Sequence, residues 1–242
     1  MRNLSATVAE HRTFAMVQPT YHFDIEQGTD EWHALRRGVI TASTIGVLLT
    51  SAGKVANNDA SRNQLFKLLA ERITGQSEPS YYNDDMQRGH LLEPYARELY
   101  AKHYQPVREC GFVAIELNPH GALLGYSPDG LVGDDGLIEI KAYREKKHLK
   151  TLLSGEVPTD HMAQIQTGLA VTGRKWLDFI SYAPGLPLYV TRCQPDRSVI
   201  AQLIAAAQAA EAELLRLTKA YWDAAARYPS TDPIQPEQEI IV

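Results

Sequence analysis

The stretch GYSPDGLVGDDGLIEIK, residues 125–141, carries two acids and a lysine in a pattern that predicts the fold. Residues 127–130 have the composition of a turn, and residues 134–136 have that of a hairpin tip. A strand is therefore expected on each side of the second turn. Because side chains alternate along a strand, Glu139 and Lys141 share one face. The sequence thus predicts a β-hairpin that presents an acid and a lysine side by side.

The second strand of this hairpin is expected over Leu137–Tyr143, with the face opposite Glu139 and Lys141 turned to the core. If the first strand pairs back, Asp129 comes close to both residues. Two carboxylates beside an ammonium suit Mg²⁺, which binds oxygen ligands and keeps several waters for a phosphate-bearing substrate. The alternative is that Asp129 caps a turn and that Glu139 and Lys141 form an ordinary surface pair.

Residues 27–43, QGTDEWHALRRGVITAS, hold a second group of candidates. A short helix is expected to begin at Thr29 or the residue after it. Ser43 is expected to cap a second helix over residues 43–49, whose free amide groups would attract a phosphate. Arg36 would offer that anion a planar guanidinium. Alternatively, Ser43 is a plain cap and Arg36 a partner of the helix dipole.

Two further expected helices carry polar residues that are candidates for the site. Asp84 is expected to start a helix that contains Pro94, which bends the axis and lets the neighbouring Glu93 turn inward. A helix over residues 160–171 carries Gln164, which would orient a water or a phosphate. As alternatives, Glu93 is one surface acid among many and Gln164 is a plain polar helix position. Other elements are expected as helices at 61–74 and after Asp196, and strands at 107–117, 122–126, 175–182 and 188–193.

Composition excludes several classes of protein. With 24 basic and 29 acidic residues the 242-residue chain has a net charge of −5, so DNA contacts must be locally basic. Cys110 and Cys193 are too far apart in sequence to suggest a disulfide framework or a zinc site. We find no apolar N-terminal signal region and no run of roughly 18 apolar residues that would span a membrane. One large domain in a reducing cytoplasm is expected.

Residues 128–129 and 139–141 have the form of the PD-(D/E)xK nuclease core. Residues 27–43 and 162–166 (MAQIQ) are similar to motifs of the phage lambda exonuclease family, in the same order and with comparable spacing over about residues 24–193. The chain therefore resembles that family of alkaline exonucleases. The resemblance implies an α/β fold with a restriction-endonuclease-like core, in which a mixed central β-sheet is flanked by α-helices.

The resemblance also implies roles for individual residues. A catalytic group is expected at Asp129, Glu139, Lys141, Glu93 and Gln164. The metal would be Mg²⁺, with Mn²⁺ as a substitute, bound by Asp129, Glu139, Glu93 and the backbone carbonyl of Ile140. Arg36 and Ser43 would hold a 5′-phosphate, and Lys141 would position water or help to deprotonate it. Further DNA contacts are expected at Lys54, Met86, Ser127, Arg144, Lys146 and Lys147. The alternatives are that the lone lysine and the run of charges form solvated surface, as such residues usually do, and that Met86 is a core residue, which is equally compatible with the sequence.

The function implied is a Mg²⁺-dependent 5′-to-3′ exonuclease. It would degrade one strand of linear double-stranded DNA to 5′-mononucleotides and leave a 3′ single-stranded tail for recombination by strand annealing. The family also implies a ring-shaped homotrimer, a 5′-phosphorylated duplex end as substrate, a single-strand annealing protein as partner, and a phage or prophage origin in a bacterial cytoplasm. An endonuclease of the same fold and a non-catalytic DNA-end-binding module are the alternatives. The single domain, residues 1–242, would comprise an arm (1–23), the nuclease core (24–193), a helix (196–228) and a tail (229–242).

Overall fold

The computed structural model of the chain describes residues 18–77, 84–118 and 121–232, which include only residues 18–23 of the expected arm and 229–232 of the expected tail. Helices and strands alternate over these residues, as expected for the α/β class. The α-helices are α1 (Asp30–Arg36), α2 (Asp59–Thr74), α3 (Asp84–His103), α4 (Glu145–Ser154), α5 (Met162–Thr172) and α6 (Arg197–Ala225). The strands are β1 (Thr20–His22), β2 (Ile40–Thr41), β3 (Phe112–Glu116), β4 (Leu123–Tyr126), β5 (Gly130–Val132), β6 (Gly136–Ala142), β7 (Trp176–Tyr182) and β8 (Tyr189–Cys193).

The strands of the described residues form two four-stranded mixed sheets, in the orders β1-β3-β4-β2 and β5-β6-β7-β8. Each sheet has a parallel pair, β2 with β4 and β6 with β7, and its other pairs are antiparallel. Residues 127–129 connect β4 of the first sheet to β5 of the second, and an isolated bridge pairs Leu131 of β5 with Arg108 in the segment before β3. The mixed sheet is therefore confirmed, and its hydrogen bonding divides at the turn that carries Asp129.

Strand β6 lies between β5 and β7 and is buried on both faces. Ile138 and Ile140 pack with Tyr100 of α3, which confirms the expected core face. The opposite face is buried as well: Leu137 is 0% and Glu139 1% exposed, because Leu137 joins a larger core that includes residues of α5. Each large apolar side chain buried in this way contributes about 1.5–3 kcal/mol. The register of β6, and with it the orientation of Glu139, is therefore fixed by burial on both sides.

Most of the expected helices form. α2 ends at Gly75, which adopts the left-handed conformation with a φ of 67°. α3 begins at Asp84 and runs through Pro94, as the sequence predicts. The side chain of Asp196 accepts hydrogen bonds from two backbone N–H groups at the start of α6, which confirms it as the N-cap.

The expectation that Ser43 caps a helix is wrong. The residues after β2 form a short 3₁₀ turn, Ile45–Leu48, whose N-cap is Thr44 and lacks a side-chain cap bond. The hydroxyl of Thr41 lies 3.1 Å from those of both Ser43 and Thr44, so these side chains satisfy one another instead of a helix N-terminus. The 3₁₀ turn is too short to offer an anion site of its own. An anion here must be held by side chains.

Helix α4 was not expected, because residues 141–150 read as a run of surface cations. The helix is amphipathic: His148 and Thr151 are buried, while the lysines of the same segment face outward or into a cleft. The Nδ1 atom of His148 lies 2.8 Å from the hydroxyl of Ser181 on β7. Packing against β7 thus stabilises α4, a helix that the pattern of charges in the sequence did not indicate.

Helix α6 was expected after Asp196, over residues 196–228. It packs mainly against α2, α5 and the 3₁₀ turn, and it ends at Ala225 rather than at residue 228. By length and composition alone α6 would be apolar enough to cross a membrane. Its buried residues, among them Leu203, Ala207 and Leu214, belong to the main hydrophobic core.

Candidate active site

Glu139 accepts hydrogen bonds from three side chains. Lys141 Nζ donates to its Oε1 at 2.8 Å and Gln164 Nε2 donates to the same oxygen at 2.6 Å. Tyr126 Oη donates to Oε2 at 2.9 Å. Lys141 lies beside Glu139 because residues two apart on a strand share a face. The structure therefore brings together Glu139 and Lys141 of β6 with Gln164 of α5.

Asp129 lies at the turn between the two sheets and belongs to the same group. Its Oδ2 accepts a hydrogen bond from the backbone N–H of Ile140 at 2.6 Å, so β6 holds the carboxylate beside Glu139. Burial raises the pKa of Asp129 well above its usual range, and the charges of Glu139 and Glu93 raise it further. Carboxylates that repel one another in this way favour a bound cation, which would relieve the repulsion.

Glu93 approaches these acids from α3. Burial raises its pKa, Arg97 opposes that shift, and the charge of Glu139 adds to it. Arg97 forms an ion pair with Glu93 and also donates from Nε to the backbone carbonyl of Asp129 at 2.8 Å. Arg97 therefore ties α3 to the turn that carries Asp129, so that three carboxylates share one environment.

Sequence reasoning missed Tyr126 and Arg97. Tyr126 is 1% exposed, and a buried tyrosine hydroxyl normally has a polar partner, here Glu139. Burial raises the pKa of Tyr126 well above its ordinary value, and Glu139 and Asp129 add to the shift, so the hydroxyl keeps its proton and donates it. Tyr126 lies at the end of β4, where an aromatic residue usually packs in the core. The only local signal for a functional site was the adjacent turn at residues 127–129.

Tyr143 and His161, which the sequence also did not reveal, lie beyond Lys141 in contact through Tyr143 Oη and His161 Nε2. Burial, followed by the charges of Lys141 and Lys147, lowers the pKa of His161 to about 4. Burial raises the pKa of Tyr143 to about 12, although Lys141 opposes the shift. Both side chains are therefore neutral at pH 7, and they extend the site without adding charge.

The chemistry of the donors fits a hard divalent cation. Asp129, Glu139 and Glu93 offer carboxylate oxygens, and Ile140 lines the same cleft. Over the described ranges, no three or more His, Cys, Asp and Glu side chains are gathered closely enough to enclose an ion by themselves. Mg²⁺ does not require such a cage, because it usually binds one or two carboxylates and keeps several waters. Mn²⁺ accepts the same oxygen ligands.

Arg36 lies between two serine hydroxyls and an aromatic ring. Its Nη1 donates to Ser127 Oγ at 2.8 Å and its Nη2 to Ser43 Oγ at 3.4 Å. The guanidinium carbon is 4.3 Å from the centre of the Trp32 ring. Burial lowers the pKa of Arg36 to about 10, which leaves it cationic at neutral pH. A planar cation fixed in this way is preorganised for an anion, and Ser127 is two residues from Asp129.

A cleft of about 1180 Å³ opens over the acids and Lys141. Met86 lines this cleft and is 47% exposed, so the alternative of a core position for Met86 is wrong. Arg144 also lines it and is paired with Asp85 at 2.7 Å. Lys146 and Lys147 line the wall formed by α4. Among the described residues the lining does not include Lys54, which is exposed in the turn at residues 50–54.

The YqaJ-like viral recombinase domain model matches residues 31–175. None of the curated proteins compared with the chain is significantly similar to it. The crystal structure of an alkaline exonuclease (LHK-Exo) from Laribacter hongkongensis shares 36% identity and a TM-score of 0.72, covering 82% of this chain and 99% of that one. The structure of LHK-Exo in complex with dAMP shares 37% identity over the same proportions, with a TM-score of 0.72.

A phage-related exonuclease from Haemophilus somnus has 14% identity and a TM-score of 0.51, covering 75% of this chain and 97% of that one. At that identity the similarity concerns the fold alone. The resemblance to the alkaline exonucleases that residues 27–43, 128–129, 139–141 and 162–166 predict is confirmed, and so is the α/β fold of the PD-(D/E)xK type.

Proposed function

The chain belongs to the YqaJ-like viral recombinase domain family, and we propose that it is an exonuclease that digests linear double-stranded DNA. The observation that carries the proposal is the meeting of Asp129, Glu139 and Lys141 at one cleft. Arg36 does not line this cleft, but it donates a hydrogen bond to Ser127, two residues before Asp129. The 36% identity with the alkaline exonuclease LHK-Exo supports it. One strand would be degraded from its 5′ end to 5′-mononucleotides, which leaves a 3′ single-stranded tail for recombination by strand annealing.

The proposed reaction depends on Mg²⁺. Asp129, Glu139, Glu93 and the carbonyl of Ile140 would hold the ion. When bound, Mg²⁺ would lower the pKa of a nearby water and offset negative charge on the phosphate oxygens. Burial raises the pKa of Asp129 and of Glu93, and the charge of Glu139 raises both further. A cation bound here would offset that charge, which supports this assignment.

Lys141 would orient the attacking water and stabilise charge on the phosphate. Burial disfavours its ammonium form, but Glu139 and Asp129 outweigh burial and hold the pKa of Lys141 above its ordinary value. A protonated lysine donates hydrogen bonds and accepts none, so Lys141 acts first as a positioning group. Gln164 accepts from Lys141 Nζ at 3.3 Å and donates to Glu139, and it thereby keeps the ammonium and the carboxylate in place.

The direction of digestion would come from Arg36 and Ser43. A guanidinium held by two hydroxyls would bind the terminal 5′-phosphate through charge-assisted hydrogen bonds. An anion site at a fixed distance from the acids recognises a strand end and not an interior bond. Lys146, Lys147 and Met86, which line the cleft, would contact the duplex behind that end without reading its sequence.

Digestion of linear duplexes with 5′-phosphate or 5′-hydroxyl ends, with and without Mg²⁺ or Mn²⁺, tests this function. We expect release of 5′-mononucleotides that requires the metal and is faster from phosphorylated ends. Closed circular DNA should remain intact. Cleavage of the circle would indicate an endonuclease, and duplexes left intact but bound at their ends would indicate a non-catalytic end-binding module.

We also propose that the enzyme works as a ring-shaped homotrimer with a single-strand annealing protein, in the cytoplasm of a bacterial host. The resemblance to the lambda exonuclease family supports the ring and the partner. Light scattering should give three times the 27.0 kDa mass of one chain. A monomer at all concentrations would remove the ring.

A further inference from the structure

The backbone two residues after Arg36 is held on both sides by neighbouring residues of α2. The N–H of Gly38 donates to Glu71 Oε2 at 2.8 Å, and its carbonyl accepts from Arg72 Nε at 2.7 Å. Gly38 has a φ of 69°, a conformation that favours glycine, and a Cβ there would lie 2.5 Å from Arg72 Cγ. The backbone turn at Gly38, which we call the corner, is thus held by hydrogen bonds to both its N–H and its carbonyl group.

Arg72 is in turn fixed by α6. Its Nη1 and Nη2 donate to Glu211 Oε2 and Oε1 at 2.9 and 2.6 Å, so the ion pair is bidentate. Glu211 is 2% and Glu71 8% exposed. A bidentate pair adds geometric specificity, and loss of one partner leaves a buried charge uncompensated. We call Gly38, Glu71, Arg72 and Glu211 the Gly38 clamp.

The Gly38 clamp acts on Arg36 through the backbone and through charge. Val39 N–H donates to the carbonyl of Arg36 at 3.1 Å, so the corner at Gly38 and the end of α1 form one turn. Burial lowers the pKa of Arg36, and the charge of Glu71 opposes that shift. The charge of Glu71 thus favours the cationic form of Arg36.

We propose that Glu71, Arg72 and Glu211 are positioning residues that set the reach of Arg36 and thereby determine the preference for 5′-phosphorylated ends. The inference rests on the proposed function of Arg36. An ion pair that only joined α2 to α6 would need Arg72 and Glu211, whereas here Arg72 also bonds the Gly38 carbonyl and the adjacent Glu71 bonds the Gly38 N–H. The Gly38 clamp thus fixes the backbone turn at Gly38, and the position of this turn determines where the side chain of Arg36 lies.

Glu211→Gln tests the clamp, because it removes the charge and keeps the shape of the side chain. Asp178→Asn is a matched control: Asp178 is 3% exposed and accepts a similar bidentate pair from Arg192 at 2.8 and 2.9 Å, between β7 and β8 of the other sheet. Initial rates would be measured over a range of DNA concentrations with 5′-phosphate and 5′-hydroxyl duplexes, to separate KM from kcat. Melting temperatures would report the loss of stability that both variants share.

We expect Glu211→Gln to raise KM for phosphorylated ends and so to lower the preference for them about tenfold. This is less than the roughly 100-fold loss of rate that a 1 Å misplacement of a binding group such as Arg36 can cause. Asp178→Asn should lose stability and keep the preference. If Glu211→Gln fails to fold, Arg72→Lys serves instead, since it keeps the charge but cannot bond Gly38 and both carboxylate oxygens together. An unchanged preference in the folded variant overturns the clamp alone. A wild-type protein that treats both ends equally overturns the clamp and the assigned role of Arg36 as well.

Discussion

Replacing Asp129 with asparagine should stabilise the metal-free protein and remove its response to Mg²⁺. Burial and two neighbouring carboxylates raise the pKa of Asp129, so folding disfavours its ionised form at neutral pH. Each tenfold change in a protonation equilibrium corresponds to about 1.4 kcal/mol, and a chain of this size gains about 2–4 °C in melting temperature per kcal/mol. Asparagine keeps an oxygen for the N–H of Ile140. We therefore expect a rise without metal, of about 3–6 °C for each tenfold change in that equilibrium.

The raised pKa of Asp129 also determines how stability changes with pH. A carboxyl whose pKa is higher in the folded than in the unfolded protein binds its proton more tightly when folded. The protonated carboxyl stabilises the folded protein at pH values below its unfolded-state pKa of about 3.9. This stabilisation is lost as the pH rises through its folded-state pKa. Glu93 shifts in the same direction. The difference in melting temperature between Asp129→Asn and the wild type should therefore grow as pH rises from about 4 to 7.

Thermal unfolding with Mg²⁺ completes the test. An ion at 100 times its dissociation constant stabilises a folded protein by about 2.7 kcal/mol, which is about 5–11 °C here. The wild type should show this shift by circular dichroism and Asp129→Asn should not. Asp135 is a half-exposed acid in the hairpin loop, paired with Lys175 at 2.8 Å. Asp135→Asn makes the same change of charge and should leave the shift intact. A lower metal-free melting temperature for Asp129→Asn, or equal Mg²⁺ shifts in it and the wild type, would refute the reasoning.

Arg36→Ala removes charge-assisted bonds of about 1.5–3 kcal/mol, so rates on 5′-phosphorylated ends should fall about 10- to 100-fold. Rates on hydroxyl ends should stay within about threefold, and equal losses on both would contradict the role of Arg36. Tyr126→Phe removes the donor to Glu139 Oε2 and should lower kcat about tenfold with KM unchanged, by the same bond energy. An unaltered kcat would show that the hydroxyl is dispensable. Lys141→Met leaves Glu139 buried without its cation and should lower both kcat and the urea midpoint of unfolding, whereas a gain in urea stability would contradict that pairing.

The part of the fold that depends on neighbouring residues was predictable. The hairpin of β5 and β6 follows from glycine and aspartate at its tip and from alternation along the strand. The helix placed at Ser43 was wrong because a cap residue is a weak preference, which the mutual hydrogen bonds of Thr41, Ser43 and Thr44 overcame. Helix α4 was missed because burial of His148 against β7 is a contact between distant segments.

The candidate site divides in the same way. Asp129, Glu139 and Lys141 lie within thirteen residues of one another, so spacing and resemblance predict their meeting. Arg97 reaches the carbonyl of Asp129 across 32 residues of sequence, and no local pattern marks it. Tyr126 lies beside the motif, but whether its hydroxyl meets a carboxylate depends on how β4 and β6 pack. Groups that support the reacting residues are set by the fold as a whole and escape a local pattern.

The overall charge of −5 gives a misleading impression of affinity for DNA. The acids Asp129, Glu139 and Glu93 account for three of the formal negative charges, and they lie where a divalent cation would offset them. The side of the cleft formed by α4 carries Lys146, Lys147 and Lys150, which approach the space that a phosphate backbone would occupy. Contacts of this kind supply affinity independent of sequence. The acids and these lysines line the same cleft, so the net charge of the chain does not describe the local charge of the side formed by α4.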